Sequence, residues 1–579
     1  MKRLTTLNSL FVIPILLGAS FSLTAFAQER KKEQTDSAPV ESLTLKADKL
    51  FAQWDKPDSP GCALGVIKDG SFIYKRGYGM ANLDYNIPIS TNTSFYIAST
   101  SKQFTAMSIA LLAREGKISL DDDIRKYLPE IPQYQSPVTI RHLIYHTSGI
   151  RDYLELTDLA GRHTEDVNTD DDFIKLIARQ KNLNFKPGEK YLYSNSGYFL
   201  LSQIVKRVSG KSLRVFADEN IFKPLGMVNT RFHDDRSEII KNRATGYFPR
   251  KGGGFSVLIT NFDGVGDGGL FTSVEDLLLW NQNFYNNKLA GGADLINNLF
   301  TTGTLNNEEK TDYAFALMTS NYKGLKMISH GGSFNGFRAE MLRFPEQKFS
   351  VICLCNLGSV DATGLATKVA DIFLEKQLKQ LAKDDGSGAV SESAFLKLSE
   401  QELAGVAGLY FNPTAVTHRR VIVKDGKLLF VINANNAIEL KAVSASRFLM
   451  PDIPTNVEIS FSPPQPGRAK NMYVVVSGGK PEVFEPIKPA AYTPEELSKF
   501  AGMFYSEELD AKYVFSIKEN KLIVNVGAEE ILLEEASIDV FASPQGQMIK
   551  FKRDPQNHIA GFSLSAIRVK EIFFSKMQR

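Results

Sequence analysis

The chain has 579 residues, too many for one ordinary domain and enough for roughly three to four units of about 150 residues. Its 43% apolar and 23% charged residues match a globular composition, which excludes collagen-like, coiled-coil and wholly disordered chains. A formal net charge of +3 with no polybasic run gives no case for nucleic acid, and three cysteines cannot staple a disulfide scaffold.

Lys2 and Arg3 open the chain with positive charge, an apolar run follows over 10–23, and Ala25-Phe26-Ala27 gives a small-x-small pattern before Gln28. This predicts a secretory signal peptide over 1–27, cleaved after Ala27. A membrane span is disfavoured because the run is short and holds Pro14 and Gly18. The expected protein is exported, periplasmic or secreted, with no transmembrane segment once mature. Cys353 and Cys355 lie two apart on a predicted strand, point the same way and cannot easily bridge each other. Buried reduced thiols are the default expectation, with a bridge from Cys62 to one of the pair as the alternative.

Residues 28–41 are polar and expected to be loose. Apolar residues then recur at helical spacing over 42–54. Two strand signals, 62–67 and 72–79, surround Lys68-Asp69-Gly70-Ser71, a hairpin signature. From 99 to about 225 the pattern is mostly helical. Strand signals return at 326–329, 338–344 and 349–354, and a helix from about 360 to 381 closes the unit. Strands from both ends of 42–383 thus flank a helical middle, which predicts an α/β (α+β) domain with one antiparallel sheet packed by helices.

A polar, glycine-containing linker is expected over 384–395. Beyond it the chain turns all-β and repeats itself. Val406-Ala407-Gly408-Leu409-Tyr410-Phe411 matches Phe500-Ala501-Gly502-Met503-Phe504-Tyr505, and Lys424-Asp425-Gly426-Lys427 matches Lys518-Glu519-Asn520-Lys521 at the same offset. Each copy, 396–490 and 491–579, has about eight short strands, enough for a small barrel. Two barrels and one joint sheet assembly are the alternatives.

Three segments carry chemistry. Ser99-Thr100-Ser101-Lys102 precedes an amphipathic helical run, so Ser99 stands at a helix N-terminus with Lys102 one turn on, where an amine can help the hydroxyl lose its proton. The same Ser-x-x-Lys spacing at Ser320 and Ser477 lacks a following helix. Tyr193-Ser194-Asn195 comes just before another helical run, and a phenol near a lysine can act as base and then acid. His330-Gly331-Gly332-Ser333 ends a strand signal. Its glycines permit close approach of a substrate backbone by strand addition, and the N–H groups of Ser99 and Ser333 can form an oxyanion hole.

In this order the three segments resemble the serine β-lactamase and penicillin-binding-protein superfamily, and more narrowly its class C β-lactamase, D-Ala-D-Ala carboxypeptidase and D-aminopeptidase branch. The stretches Leu143-Ile144-Tyr145-His146-Thr147-Ser148-Gly149-Ile150 and Gly266-Asp267-Gly268-Gly269-Leu270 support it. The resemblance covers 42–383, and the trailing repeats are similar to lipocalin-like barrels appended to some D-aminopeptidases and related esterases. It implies a serine hydrolase working through a covalent acyl-enzyme on a small-molecule or short-peptide amide or ester, with no cofactor and no metal. Ser99 would be the nucleophile, and Lys102 and Tyr193 would manage its proton, with the choice of base left open. Asn195, Gly331, Gly332 and Ser333 would bind substrate, and His330 would tune Tyr193 or contact substrate. A homo-oligomer is left open.

Class C β-lactamases typically carry Lys-Thr-Gly where this chain has His330-Gly331-Gly332, which removes a fixed positive charge and ranks β-lactamase activity below peptidase or esterase activity. Two rivals stand beside the hydrolase: a sensor that is acylated without turnover, and a glycan- or protein-binding role for the β repeats. His142 and His146 have helix-face spacing, but the glutamate of a His-Glu-x-x-His zinc motif is absent. Asp121–Asp123 and Asp170–Asp172 read as loops and helix caps, and Phe430, Phe448, Phe541 and Phe551 as core.

Overall fold

The computed structural model describes residues 37–578 apart from 164, 260, 379–394, 413–416, 434–435, 451–456, 464–469, 477–479 and 488–489. The expected signal peptide, most of the 28–41 segment and residues 384–394 of the expected linker lie outside the described residues. Two compact units divide between Lys49 and Leu50. The described part of the first is helical and belongs to α1 (Ser37–Phe51), whose last turn carries Lys49 toward the negative end of the helix dipole.

The second unit begins with a hairpin of β1 (Cys62–Lys68) and β2 (Ser71–Tyr78), turned by Asp69 and Gly70, both at positive φ as a type I′ turn requires. Helices α2 (Lys102–Arg114), α3 (Tyr153–Leu159) and α4 (Asn195–Ser209) follow. The chain then returns to the sheet with β3 (Met318–Tyr322), β4 (Leu325–Phe334), β5 (Phe337–Phe344) and β6 (Phe349–Cys355), closed by α5 (Ala362–Phe373). Strand order is β3-β4-β5-β6-β1-β2, antiparallel throughout, so the two sequence ends of the domain meet at the β6–β1 pair. Six of the seven residues of β1 and all of β6 are buried, in keeping with sequences that are apolar but for Lys68 and Ser350.

That pairing decides the cysteines. Cys62 lies directly opposite Cys355 and the two form a disulfide, while Cys353 is the buried free thiol, its Sγ 3.6 Å from that of Cys355. The default of three reduced thiols is therefore corrected. The two-residue spacing keeps Cys353 from bridging Cys355, but cross-strand register brings Cys62 within bonding reach.

The β repeats form two separate sheets. Eight strands from Gly408–Asn412 to Glu482–Pro486 close into a barrel, with Tyr410 opposite Pro486. The second copy has nine strands, because Leu533 divides Glu529–Leu532 from Glu534–Ser537; these become the two edges of a sheet that curls nearly shut. Its interior is filled by Phe504, Phe515, Phe541, Phe551, Phe562 and Phe574, all buried, and Phe430 and Phe448 are buried in the first barrel. Its last hairpin is β7 (Ile559–Ser565) and β8 (Ile572–Lys576). This second sheet shares one apolar core with Leu156 and Leu159 of α3 and with Leu176. Buried Arg151 donates to Glu508 Oε2 at 2.5 Å, and the Tyr513 hydroxyl donates to the Leu159 carbonyl at 2.9 Å. Among the described residues, no helix is long and apolar enough to cross a membrane.

Candidate active site

Ser99 sits in a 3-10 turn, Ala98–Ser101, that runs directly into α2. Ala98 holds φ at +46°, a left-handed conformation that a side chain rarely adopts, so the residue before the nucleophile candidate is held under backbone strain. The Thr100 hydroxyl ties the turn to β4 by donating to the His330 carbonyl at 3.2 Å. On β4, Gly332 faces Ile97 and Ala98 with no room for a side chain, which lets the turn lie against the strand.

Lys102 is fully buried, and its Nζ donates to Ser99 Oγ at 3.1 Å, to Asn195 Oδ1 at 2.9 Å and to the Asp267 carbonyl at 2.7 Å. Three donors and three acceptors leave the ammonium satisfied without a direct carboxylate bond. Burial pulls its pKa below the ordinary lysine value, while the charges of Asp267 and Asp152 oppose that shift. The Tyr193 ring lies under the same amine, 4.9 Å from Nζ to the ring centre. Burial pushes the Tyr193 phenol well above its usual range, and the Ser99 hydroxyl beside it works the other way. The Ser99 hydroxyl and Lys102 amine, neighbours in sequence, therefore meet the phenol of the distant Tyr193 in one place.

Asn195 opens α4. Its backbone N–H donates to Asp152 Oδ2 at 2.7 Å, so the helix start is fixed by a buried carboxylate while the side-chain oxygen receives Lys102. Asp152 also caps α3 by accepting from Glu155 N. The neighbouring serines are tied to the preceding loop, Ser194 Oγ to the Ile150 carbonyl and Ser196 Oγ to the Arg151 carbonyl.

His330 is buried and faces the same site, its ring held by the carbonyl of its own motif neighbour Gly331 and by Tyr313, which lies outside the three motifs. Nδ1 lies 2.8 Å from the Gly331 carbonyl, which can only accept, so Nδ1 carries the proton and Nε2 accepts from the Tyr313 hydroxyl at 3.0 Å. Burial, with Lys102 nearby, lowers the His330 pKa to about 4, so the ring is neutral near pH 7. Gly331 lies on the opposite face of the sheet, where a side chain would meet the Glu340 carboxylate. Among the described residues, 330–334 pair with β5 on one side only, since β3 ends its pairing with β4 at Ser329. The Phe334–Phe337 pair closes a two-residue turn, so backbone alternation points the Ser333 N–H to the open edge.

Four participants escaped sequence reasoning in their roles: Asp152, Tyr153, Asp267 and Tyr313. The Tyr153 hydroxyl donates to both oxygens of the Asp267 carboxylate at 3.1 Å, which positions the carbonyl that receives Lys102. Asp152 and Asp267 adjoin or lie within stretches already singled out, whereas nothing local marks Tyr313. His146 packs its ring 4.2 Å from that of Tyr193 and accepts from Ser194 N, while His142 accepts from Thr139 N as a helix cap. Their helical spacing thus serves two separate structural contacts.

This fold and this cluster define the serine β-lactamase and penicillin-binding-protein class. The chain belongs to the Beta-lactamase family, whose model matches residues 47–373. It is 33% identical over 306 residues to penicillin-binding protein 4* of Bacillus subtilis (strain 168), covering 50% of this chain and 67% of that one. It is 29% identical over 297 residues to a D-aminopeptidase of Gluconobacter oxydans (strain 621H), 51% of this chain and 56% of the relative. A D-aminopeptidase of Brucella anthropi aligns at 25% identity over 538 residues, 90% and 96% of the two chains. The octameric penicillin-binding protein homologue from Pyrococcus abyssi is similar in fold, with a TM-score of 0.52 at 23% identity over 86% of this chain and all of that one.

Proposed function

We propose that the protein is an exported serine hydrolase of the peptidase or amidase type, acting through a covalent acyl-enzyme on small amides or esters, D-amino-acid peptides foremost. The observation that carries this reading is the buried Lys102 amine, 3.1 Å from Ser99 Oγ and disposed by burial to give up its proton. Ser99 Oγ attacks the substrate carbonyl and its proton passes to Lys102 or Tyr193. The Ser99 and Ser333 N–H groups hold the oxyanion. The tetrahedral adduct collapses as the leaving amine or alcohol takes a proton from the same pair, leaving an ester on Ser99. Water, deprotonated by that pair, then releases the acid and restores the hydroxyl. Asn195 Nδ2 and the open edge of β4 bind the substrate backbone.

The D-aminopeptidase relatives, one of them aligned along nearly the whole chain, support the D-amino-acid class. Neutral His330 favours it over β-lactams, because that position offers no fixed cation to a ring carboxylate. The packed interior of the second sheet argues against a lipocalin-like ligand there. The test is one panel on wild type and Ser99→Ala: D-alanine nitroanilide, a short-chain nitrophenyl ester, a peptide ending in D-Ala-D-Ala and a chromogenic cephalosporin. Ser99-dependent turnover of the anilide or ester is expected, and wild-type rates in Ser99→Ala on every active substrate would overturn the assignment. A stable mass adduct without turnover would replace the hydrolase by the sensor.

A further inference from the structure

The loop between β7 and β8 of the second β sheet reaches the rear of the catalytic cluster. The Arg568 guanidinium lies 3.2 Å from Asp152 Oδ2, the oxygen that accepts from Asn195 N. The backbone of Arg568 is fastened on both sides: its N–H donates to Glu155 Oε2 at 2.5 Å, and its carbonyl accepts from Asn184 Nδ2 at 2.8 Å. Asn184 in turn accepts from Lys570 N at 2.8 Å, so the loop is docked by paired bonds rather than by one ion pair. Asp152 is fully buried, and a buried carboxylate is costly to keep ionised without a counter-charge. The chain from the barrel to the nucleophile is continuous: Arg568 to Asp152, Asp152 to Asn195 N, Asn195 Oδ1 to Lys102 Nζ, and Lys102 to Ser99 Oγ.

We propose that Arg568 is a positioning residue of the catalytic site, supplied by the second β sheet: it neutralises Asp152, fixes the start of α4, and so holds Asn195 and Lys102 in register with Ser99. The proposal rests on the serine-hydrolase reading and extends it, since it makes a repeat domain part of the machinery. Its electrostatic consequence has a definite sign. From α3 and its cap Arg568 faces Asp152, Glu155 and Asp158; Tyr193, Lys102 and His146 also feel its charge, and Lys570 lies near Glu155. A fixed cation favours neutral Lys102 and ionised Tyr193, so removing it raises the pKa of the proton-accepting group.

The test uses the full chain with Arg568→Gln and Arg568→Lys, and Arg568→Met as a second charge-removing variant should glutamine not fold; circular dichroism reports folding. Arg553→Gln, which breaks the ion pair with Asp539 inside the same sheet, is the control. Charge removal should lower kcat about 10- to 100-fold with little change in KM and move the ascending limb of the pH–rate profile to higher pH. Arg568→Lys should recover most of the rate and the original limb. A folded charge-removing variant with wild-type kcat and pH profile overturns the proposal. So does a loss that lysine does not repair and that leaves the limb in place. Ser99→Ala run alongside separates the two levels: absence of Ser99-dependent turnover in wild type sinks the hydrolase reading, whereas Ser99-dependent turnover indifferent to Arg568 sinks only this one.

Discussion

Gly332 and Ile97 approach so closely that a Cβ on the glycine would stand 2.1 Å from the Ile97 carbonyl oxygen. Nothing flexible lies there to yield, since the obstacle is backbone one residue before the strained Ala98. Gly332→Ala should therefore push the turn that carries Ser99 away from β4. The expected cost is about 1–3 kcal/mol of stability and a fall in kcat/KM of roughly 100-fold, measured by thermal unfolding and by hydrolysis of an activated ester.

In the proposed mechanism Lys102 offers an amine able to accept the Ser99 proton, inside a fixed set of oxygen acceptors. Lys102→Ala should lower kcat by about 10²–10⁴-fold. Lys102→Arg should fare no better, because a guanidinium neither fits the pocket nor gives up its proton. Recovery of wild-type kcat by arginine would assign the residue a purely electrostatic role.

Because burial lowers the Lys102 pKa, the ascending limb of kcat/KM against pH should lie below the ordinary lysine range. The Asp267 charge opposes that lowering. Asp267→Asn should accordingly shift the limb further toward acid, and a shift toward alkali would contradict the assignment of the limb to Lys102.

His330 gives a stability signature. Its folded pKa of about 4 lies under the ordinary 6.5, so the unfolded chain binds the proton more readily. The stability contributed by its neutral form is complete above about pH 6.5 and is lost as pH falls toward 4, by about 3 kcal/mol. His330→Asn should lose less on the same descent, as read from unfolding midpoints; an identical decline would rule His330 out as its source.

The disulfide joins residues 293 positions apart and so closes a very long loop. Cys62→Ser should lower stability by about 2–5 kcal/mol. Thiol titration of the unfolded, unreduced wild-type chain should find one reactive thiol, Cys353.

The parts of the site that sequence revealed are those written locally. Ser99 and Lys102 share one helical turn, and Tyr193 and Asn195 share the entry to one helix, so spacing alone carries their relationship. The sheet was legible for a similar reason: the apolar runs at 62–67 and 349–354 have the length and composition of buried strands. Their pairing was not, since register is a property of two segments, and with it went the disulfide. Tyr313 was invisible because its partner, His330, is seventeen positions away on a different element, and a lone tyrosine before a strand carries no pattern. The same holds for Arg568, which becomes meaningful only once the second sheet has docked.

That docking has a practical corollary for anyone dissecting the protein. Leu156, Leu159 and Leu176 are interior residues only while the far carboxy-terminal sheet lies over them. A polypeptide shortened at the predicted linker would expose these leucines to water and strand the guanidinium of Arg151 without the Glu508 carboxylate. Aggregation or sluggish turnover of such a fragment would accordingly report a torn interior rather than a dispensable accessory, and the natural unit for crystallography, engineering or inhibitor screening is the chain that retains both repeats.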